Sequence, residues 1–230
     1  MLPTVILPGY LESAIAYRQL EQSLQQMGFP TVTVPLRRRD WFPTLGGRPV
    51  TPILQQLDHT VKQLLQQHKA SAINLIGHSA GGWISRIYLG EKPYFGRGQV
   101  ASIDAWQAHT YVSTLVTLGT PHVSQERWTR WNLDFVKNNY PGAFYRHVRY
   151  ICVAGKTIYG RRRGSWLAYS SYQLTCGQGN CWGDGITPIA AAHLEGAENL
   201  VLEGVKHSPR SAGLWYGSPE VLPSWVPYLT

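Results

Sequence analysis

Short runs of apolar, often β-branched residues alternate along the chain with longer segments whose apolar residues recur at helical spacing. The short runs predict strands at about 4–7, 31–34, 71–76, 112–118, 149–154 and 199–202. The longer segments predict helices at about 13–27, 52–67, 78–89 and 208–215. The strands are almost continuously apolar, which is typical of a sheet covered on both faces. The alternation therefore predicts an α/β fold, with a mostly parallel sheet of about six strands and helices on both faces.

Two segments interrupt this alternation, at about 123–145 and 157–182, and both are rich in Trp, Tyr and Arg. We interpret them as excursions from the carboxyl edge of the sheet, where ligands bind in open α/β sheets. Their aromatic residues fit either an apolar entrance to a substrate site or ordinary packing of the loops. The length of 230 residues otherwise predicts a single domain, residues 1–230.

Composition narrows the class of protein. With 43% hydrophobic residues and 15% charged residues, the chain has enough apolar material for a core, which excludes a disordered chain. We expect no transmembrane helix, because no run of about 18 apolar residues occurs. The first residues lack the charged start and cleavage site of a signal peptide, so a cytoplasmic location is expected, with membrane contact limited to the periphery.

The three cysteines give little evidence of compartment. Cys152 lies in an apolar run and is expected to be a small buried hydrophobe. Cys176 and Cys181 flank a segment with two glycines that could fold back into a local disulfide, although reduced thiols are the default expectation. Because the neighbourhood lacks the spacing of a zinc site, neither a metal nor another cofactor is expected.

The segment Gly77–Gly82 reads Gly-His-Ser-Ala-Gly-Gly, follows a predicted strand and opens a predicted helix. A G-x-S-x-G motif in this context predicts a nucleophile elbow, a strained turn that raises Ser79 above the sheet. Side chains two residues before or after the serine would collide with the neighbouring strand and helix, which explains the glycines there. The turn also directs the Ala80 N–H at the reacting carbonyl oxygen, which predicts one oxyanion donor.

A serine nucleophile needs a base, and the base needs an orienting acid, in the chain order Ser, acid, His. Asp184 lies in a glycine-flanked loop after the fifth strand and is favoured over Asp104 and Asp134. The base must follow it. His207 comes just past the last strand, where its side chain can hang over the elbow, and is favoured over His193, which precedes that strand.

The loop after the first strand is expected to supply the second oxyanion donor. Gly9 allows the backbone to turn sharply, and the N–H of Tyr10 is the favoured donor, with Leu11 as the alternative. The predicted substrate contacts are His78, Leu11, Trp128 and Trp166.

These motifs resemble those of the α/β-hydrolase superfamily over nearly the whole chain. The resemblance rests on Pro8-Gly9-Tyr10, Gly77–Gly82, Leu118-Gly119-Thr120-Pro121-His122, Gly183-Asp184-Gly185 and His207. The Leu-Gly-Thr-Pro-His run is similar to one in lipase-like and GPI-inositol-deacylase-like members. Residues 40–52, together with the elbow, resemble a cyanobacterial and plastid lipase-like group. The chain departs from many members in having Pro8 where they carry His, and in having fewer strands ahead of the oxyanion loop, which implies a compact version.

The resemblance implies a serine carboxyl-ester hydrolase, most specifically a lipase or lipid acyl hydrolase that works through an acyl-enzyme. The alternatives are a soluble esterase for short-chain or aromatic esters and a non-catalytic binding protein with this fold. Of the 21 basic residues, ten fall in short arginine clusters, several beside aromatic residues, and the net charge is +8. Besides the ester substrate, an anionic membrane surface is therefore an expected partner, with a solvated basic face as the alternative. Nucleic acid is not expected, because no binding motif accompanies the charge.

Overall fold

Among the described residues, the main sheet has six strands, and all of them are parallel. A computed structural model of the chain describes residues 1–94 and 105–230, apart from the side chains of Arg127 and Trp128. The strands of the main sheet are β1 (Thr4–Leu7), β2 (Thr31–Thr33), β3 (Ile73–His78), β4 (Val112–Leu118), β5 (Arg149–Lys156) and β8 (Glu198–Glu203). Their order across the sheet is β2-β1-β3-β4-β5-β8. A separate two-stranded antiparallel sheet pairs β6 (Ile158–Tyr159) with β7 (Trp182–Gly183). The predicted parallel sheet of six strands is confirmed.

Helices cover both faces of the sheet, as predicted. They are α1 (Arg18–Gln26), α2 (Thr51–His68), α3 (Ala80–Leu89), α4 (Arg127–Asn139), α5 (Trp166–Cys176) and the single turn α6 (Ile189–Ala192). Side chains of a strand alternate between faces, so Val5 and Leu7 enter the core beneath α2, α3 and α4, whereas Ile6 enters the core beneath α1. Within residues 1–94 and 105–230, no helix combines the length and apolar character needed to cross a membrane.

The predicted terminal helix at 208–215 is wrong. This segment forms turns, and Gly213 adopts a φ of +98°, which a right-handed helix does not allow. The Lys206 amide instead donates to the Leu214 carbonyl at 2.8 Å, which closes the segment into a loop. The chain then continues through two short 3₁₀ turns, Leu222–Ser224 and Val226–Tyr228, which complete the α1 face of the core.

The two aromatic segments have different places in the fold. The first contains α4, the crossover helix between β4 and β5, and its residues Val136, Tyr140 and Tyr145 are buried in the core. Ordinary packing therefore accounts for much of its aromatic content. The second consists of the β6–β7 strand pair and of α5, which lies between these strands in the chain. It extends beyond the carboxyl end of β5, and Trp166 at its tip is 61% exposed.

The strand order places a crevice at the carboxyl ends of β1 and β3. The chain moves from β1 to β2 on one side, and then to β3 on the other side of β1. Ligand sites of doubly wound sheets lie at such a reversal. Because Leu7 pairs with Gly77 at the last register position of the two strands, the loops that follow them face one another.

Two tryptophans allow a matched test of the core. Trp225 is fully buried under the α1 face, whereas Trp166 is exposed. We expect Trp225→Ala to lower the free energy of unfolding by about 3–5 kcal/mol, because a large apolar side chain leaves a cavity. Trp166→Ala should change it by less than about 0.5 kcal/mol. Urea titration followed by circular dichroism measures both, and equal losses would contradict this packing.

Candidate active site

Ser79 occupies a strained turn between β3 and α3. Its backbone angles, φ of +52° and ψ of −122°, are costly for a residue with a side chain. The turn is possible because its neighbours are glycines: a Cβ on Gly77 would lie 2.5 Å from the Gly82 Cα, and one on Gly81 would collide with the Leu7 carbonyl oxygen. The Ser79 amide donates to the Leu118 carbonyl at the end of β4, 2.8 Å away, which anchors the turn to the sheet.

Asp184 and His207, the favoured acid and base, are hydrogen-bonded to each other. The distance from His207 Nδ1 to Asp184 Oδ2 is 2.7 Å, and the carboxylate is fully buried. Because Nδ1 donates its proton to the carboxylate, Nε2 is the basic nitrogen of the ring. His207 and Ser79 line the same small notch. Asp134 forms an ion pair with Arg130 on α4 instead, and Asp104 lies outside the described residues.

The Asp184 carboxylate accepts four hydrogen bonds. Oδ1 accepts from the backbone amides of Ile186 and Thr187 at 2.9 and 2.7 Å, while Oδ2 accepts from His207 and from the Tyr216 hydroxyl, each at 2.7 Å. Burial alone would raise the pKa of Asp184, but the charge of His207 and these hydrogen bonds outweigh it and lower the pKa. Asp184 is therefore charged at neutral pH, as an acid that orients a histidine must be.

Tyr216 is a residue of this site that the sequence did not indicate. Its oxygen accepts a hydrogen bond from the Gly155 amide at 2.8 Å, so its own proton is directed to Asp184. Burial and the neighbouring carboxylate raise the pKa of Tyr216 well above its usual value, so the hydroxyl stays protonated as a donor. No local motif marks this tyrosine, which reaches the site from a segment 32 residues further along the chain.

A second buried chain of hydrogen bonds runs beneath the nucleophile. The Gly9 amide donates to the Tyr17 oxygen at 2.9 Å, so the Tyr17 hydroxyl donates to His78 Nδ1 at 2.6 Å. His78 Nε2 then carries the proton and donates to the His207 carbonyl oxygen at 2.9 Å. Burial, together with His207, lowers the pKa of His78 to about 3, which keeps the ring neutral. His78 therefore uses both ring nitrogens on protein partners instead of offering one to a substrate.

Tyr10 and Ala80, which carry the predicted oxyanion donors, line the same cavity as Ser79. Among the described residues, neither the Tyr10 amide nor the Ala80 amide donates to a protein acceptor, whereas the Gly9 amide is bonded to Tyr17. The turn Gly9–Glu12 is closed by a hydrogen bond of 3.0 Å, and Leu11 adopts a φ of +57° in it. This strained conformation of a branched residue is typical of functional loops. Tyr10 and Ala80 remain the predicted donors.

Two cavities of different size meet at Ser79. The larger has a volume of about 320 Å³ and includes Tyr10 and Ala80 in its wall, whereas the smaller has about 70 Å³ and includes His207. Among the predicted substrate contacts, neither Leu11 nor Trp166 lines either of these two cavities, and the Trp128 side chain lies outside the described residues. The apolar residues of the larger wall include Leu45, Val50, Trp83, Pro121, Leu133 and Ile186.

The cysteines are free thiols. Cys152 is buried in β5, which raises its pKa to about 11. Cys176 and Cys181 are partly buried, and each lies within hydrogen-bonding distance of the Gln178 carbonyl oxygen. In the part of the chain that the structure describes, no cluster of three or more His, Cys, Asp or Glu residues is arranged to hold a metal ion.

Comparison of the sequence with known families gives one match. A family model described as the PGAP1-like alpha/beta domain matches residues 47–140, a region that contains the Ser79 elbow but is less than half of the chain. No curated protein sequence matches the chain significantly.

The structure is similar over its whole length to a candidate cell surface hydrolase from Lactobacillus plantarum WCFS1. The TM-score is 0.51 at 11% identity, covering 100% of this chain and 93% of that chain. An esterase from Exiguobacterium antarcticum is 19% identical over 55% of this chain and 41% of its own, with a TM-score of 0.35. Aspergillus fumigatus lipase B is 10% identical over 66% of this chain and 37% of its own, with a TM-score of 0.43. The chain thus spans about two fifths of the esterase or lipase, and the whole-chain similarity establishes the fold alone.

The hydrogen bond from Tyr216 to Asp184 predicts a shift in pH dependence. The variant Tyr216→Phe removes one of the donors to the Asp184 carboxylate. The carboxylate charge is then less neutralised by hydrogen bonds, so the carboxylate stabilises a protonated His207 ring more strongly. We expect the acid limb of kcat/KM for a soluble ester to move up by roughly 0.5–1 pH unit, since one unit corresponds to about 1.4 kcal/mol.

The control for this shift is Tyr172→Phe. The Tyr172 hydroxyl accepts from the Gly185 amide and donates to the Ile158 carbonyl. This variant therefore also loses a hydroxyl beside the Asp184 loop, but the Asp184 carboxylate keeps all of its donors. An unchanged acid limb in Tyr216→Phe, or an equal shift in both variants, would show that Tyr216 does not act through Asp184.

Proposed function

We propose that this chain, which has the α/β-hydrolase fold, is a serine carboxyl-ester hydrolase, and more specifically a lipid acyl hydrolase. The observation that carries the proposal is the arrangement of three side chains. Ser79 stands on a strained elbow, shares a notch with His207, and His207 is held through Nδ1 by the buried Asp184 carboxylate. This order of acid, base and nucleophile activates serine in acyl transfer.

The reaction proceeds by covalent catalysis. His207 Nε2 accepts the Ser79 proton as Oγ attacks the ester carbonyl, and the Tyr10 and Ala80 amides stabilise the negative oxygen of the tetrahedral intermediate. The ester C–O bond breaks, and His207 returns the proton to the leaving alcohol. Water then attacks the acyl-enzyme with His207 as base, which releases the carboxylic acid and restores Ser79.

The surroundings of the larger cavity favour a lipid over a short or aromatic ester. Several apolar side chains in its wall reach the surface: Leu45 is 38% exposed and Ile186 is 49% exposed. Apolar groups that are left in water at the edge of a cavity are typical of sites that meet an interface or a partner. A soluble esterase for short-chain or aromatic esters is the alternative.

We also propose that the carboxyl edge of the sheet contacts an anionic membrane surface. Arg161–Arg163 are exposed at the tip of the second excursion, directly before Trp166 and Leu167, which are 61% and 68% exposed. The exposed Arg37–Arg39 follow β2 at the same edge and precede the exposed Phe42. Cationic and aromatic side chains together suit the headgroup region of an acidic bilayer.

A fluorophosphonate probe tests whether the chain is an enzyme. We expect the probe to label the wild type and Ser171→Ala, but not Ser79→Ala, because Ser79 shares the notch with His207. Ser171 provides a matched control, since it lines the same cavity. Ester hydrolysis by Ser79→Ala or His207→Ala should fall by at least about three orders of magnitude, because such residues act as a unit. Labelling that survives Ser79→Ala would leave a non-catalytic binding protein as the better interpretation.

Vesicle sedimentation tests the membrane contact. We expect binding to phosphatidylglycerol-containing vesicles but not to pure phosphatidylcholine vesicles. Replacing Arg161, Arg162 and Arg163 by Gln should weaken binding at least tenfold, since each cation near an acidic surface contributes about 1 kcal/mol. The matched control replaces Lys69, Arg146 and Arg149 by Gln, which removes the same charge at the amino edge of the sheet.

Equal losses in the two triple variants would indicate a general charge effect instead of a docking edge. Lack of vesicle binding, together with hydrolysis that vesicles or micelles do not increase and a preference for short acyl chains, would favour the soluble esterase.

A further inference from the structure

We infer that the substrate is an ester whose larger apolar part is its acyl group, and that this group enters the larger cavity while the alcohol leaves through the notch beside His207. The inference rests on the proposed function and adds the direction in which the ester binds. It follows from the two cavities that meet at Ser79 and from the position of His207 in only one of them.

The position of the base fixes the side of the leaving group. When the tetrahedral intermediate collapses, His207 Nε2 must donate a proton to the alcohol oxygen, so that oxygen has to lie within hydrogen-bonding reach of the ring. Ser79, Gly9, Tyr10 and His207 together line the notch, whereas His207 is not part of the described lining of the larger cavity. The alcohol oxygen therefore points into the notch, and the acyl carbon chain points into the larger cavity.

The notch holds little of an alcohol. Its volume is about 70 Å³, room for a few water molecules. Beside the notch, an ion pair between Arg210 Nη2 and Glu12 Oε2, 2.5 Å apart, connects the loop that follows His207 with the oxyanion loop. Burial raises the pKa of Glu12, although Arg210 opposes this shift. The part of a longer alcohol beyond the first few atoms must extend past this ion pair, outside the notch.

The larger cavity has the chemistry for a hydrocarbon chain. Its volume of about 320 Å³ lies at the lower end of the range for small-molecule sites. Although hydroxyl groups are numerous in its wall, most already donate to protein oxygens, so they offer a ligand acceptor lone pairs but no free donor. Hydroxyls bonded in this way belong to Thr44, Thr129, Ser171, Thr175 and Thr187. With these donors occupied, the methyl groups and apolar side chains dominate what a ligand meets.

Two isomeric esters test the direction of binding. Ethyl octanoate and octyl acetate have the same atoms and differ only in which side of the ester carries the long chain. We expect kcat/KM to be at least about tenfold higher for ethyl octanoate, because its chain alone gains apolar contacts in the transition state. Equal values, or a preference for octyl acetate, would overturn the inference.

A pair of adjacent variants locates the effect. Thr175 lines the cavity, and the next side chain along α5 towards the amino end, Leu174, points outward and is exposed. We expect Thr175→Phe to lower the ratio of kcat/KM for ethyl octanoate to kcat/KM for octyl acetate at least tenfold. Leu174→Phe should leave both within twofold. Equal loss for both esters in Thr175→Phe would place the acyl chain elsewhere.

The outcomes separate this inference from the proposed function. If the probe labels Ser79 and octyl acetate is the better substrate, the chain is a serine hydrolase that binds esters in the opposite direction. If the probe labels Ser79 but ethyl octanoate is not hydrolysed, the direction is also refuted. If the probe does not label Ser79 and neither ester is cleaved, the proposed function itself fails.

Discussion

The arrangement of the site depends on one buried charge. The carboxylate of Asp184 has no contact with solvent, and a charge in that position is costly unless donors replace the lost water. Four donors do so, and they come from the turn at Ile186 and Thr187, from His207 and from Tyr216. The C-terminal segment and the loop after β8 are thereby fixed against the end of β5, to which Tyr216 is also bonded through Gly155.

A second polar chain fixes the same histidine from another direction. Asp184 holds the ring of His207 through Nδ1, while His78 donates to its backbone carbonyl. Since His78 also binds Tyr17, which receives the Gly9 amide, the loop of the oxyanion donor and the loop of the base are joined by buried hydrogen bonds. A buried polar network is rigid only when each of its groups has a hydrogen-bond partner. In this one, the Tyr17 hydroxyl and both ring nitrogens of His78 have partners.

The parts of the site that depend on local sequence could be predicted, and the parts that depend on distant contacts could not. Apolar runs gave all six strands of the main sheet, and the resemblance to α/β-hydrolases is confirmed in the fold, because strand burial and the steric demands of the elbow act over a few residues. Tyr17 and Tyr216 were missed because nothing in their neighbourhoods distinguishes them from packing tyrosines. The helix expected at 208–215 failed for a related reason: the segment is held in its loop by the hydrogen bond from the Lys206 amide and by the packing of Trp215 against Tyr17 and His78, which outweigh local propensity. The narrower resemblance to a cyanobacterial and plastid group stays a prediction.

The strand positions show at which edge of the sheet each arginine group lies. Arg146 and Arg149 lie at the amino edge of the sheet, where β5 begins, and Arg149 packs over the Tyr228 ring. The two arginine triplets lie at the carboxyl edge, on loops that also bear exposed apolar side chains. The composition alone could not distinguish these groups, although only the second shares an edge with the Ser79 elbow. An acidic surface that attracts this edge would meet the exposed rim of the larger cavity first, so long-range attraction and apolar burial would act on the same face.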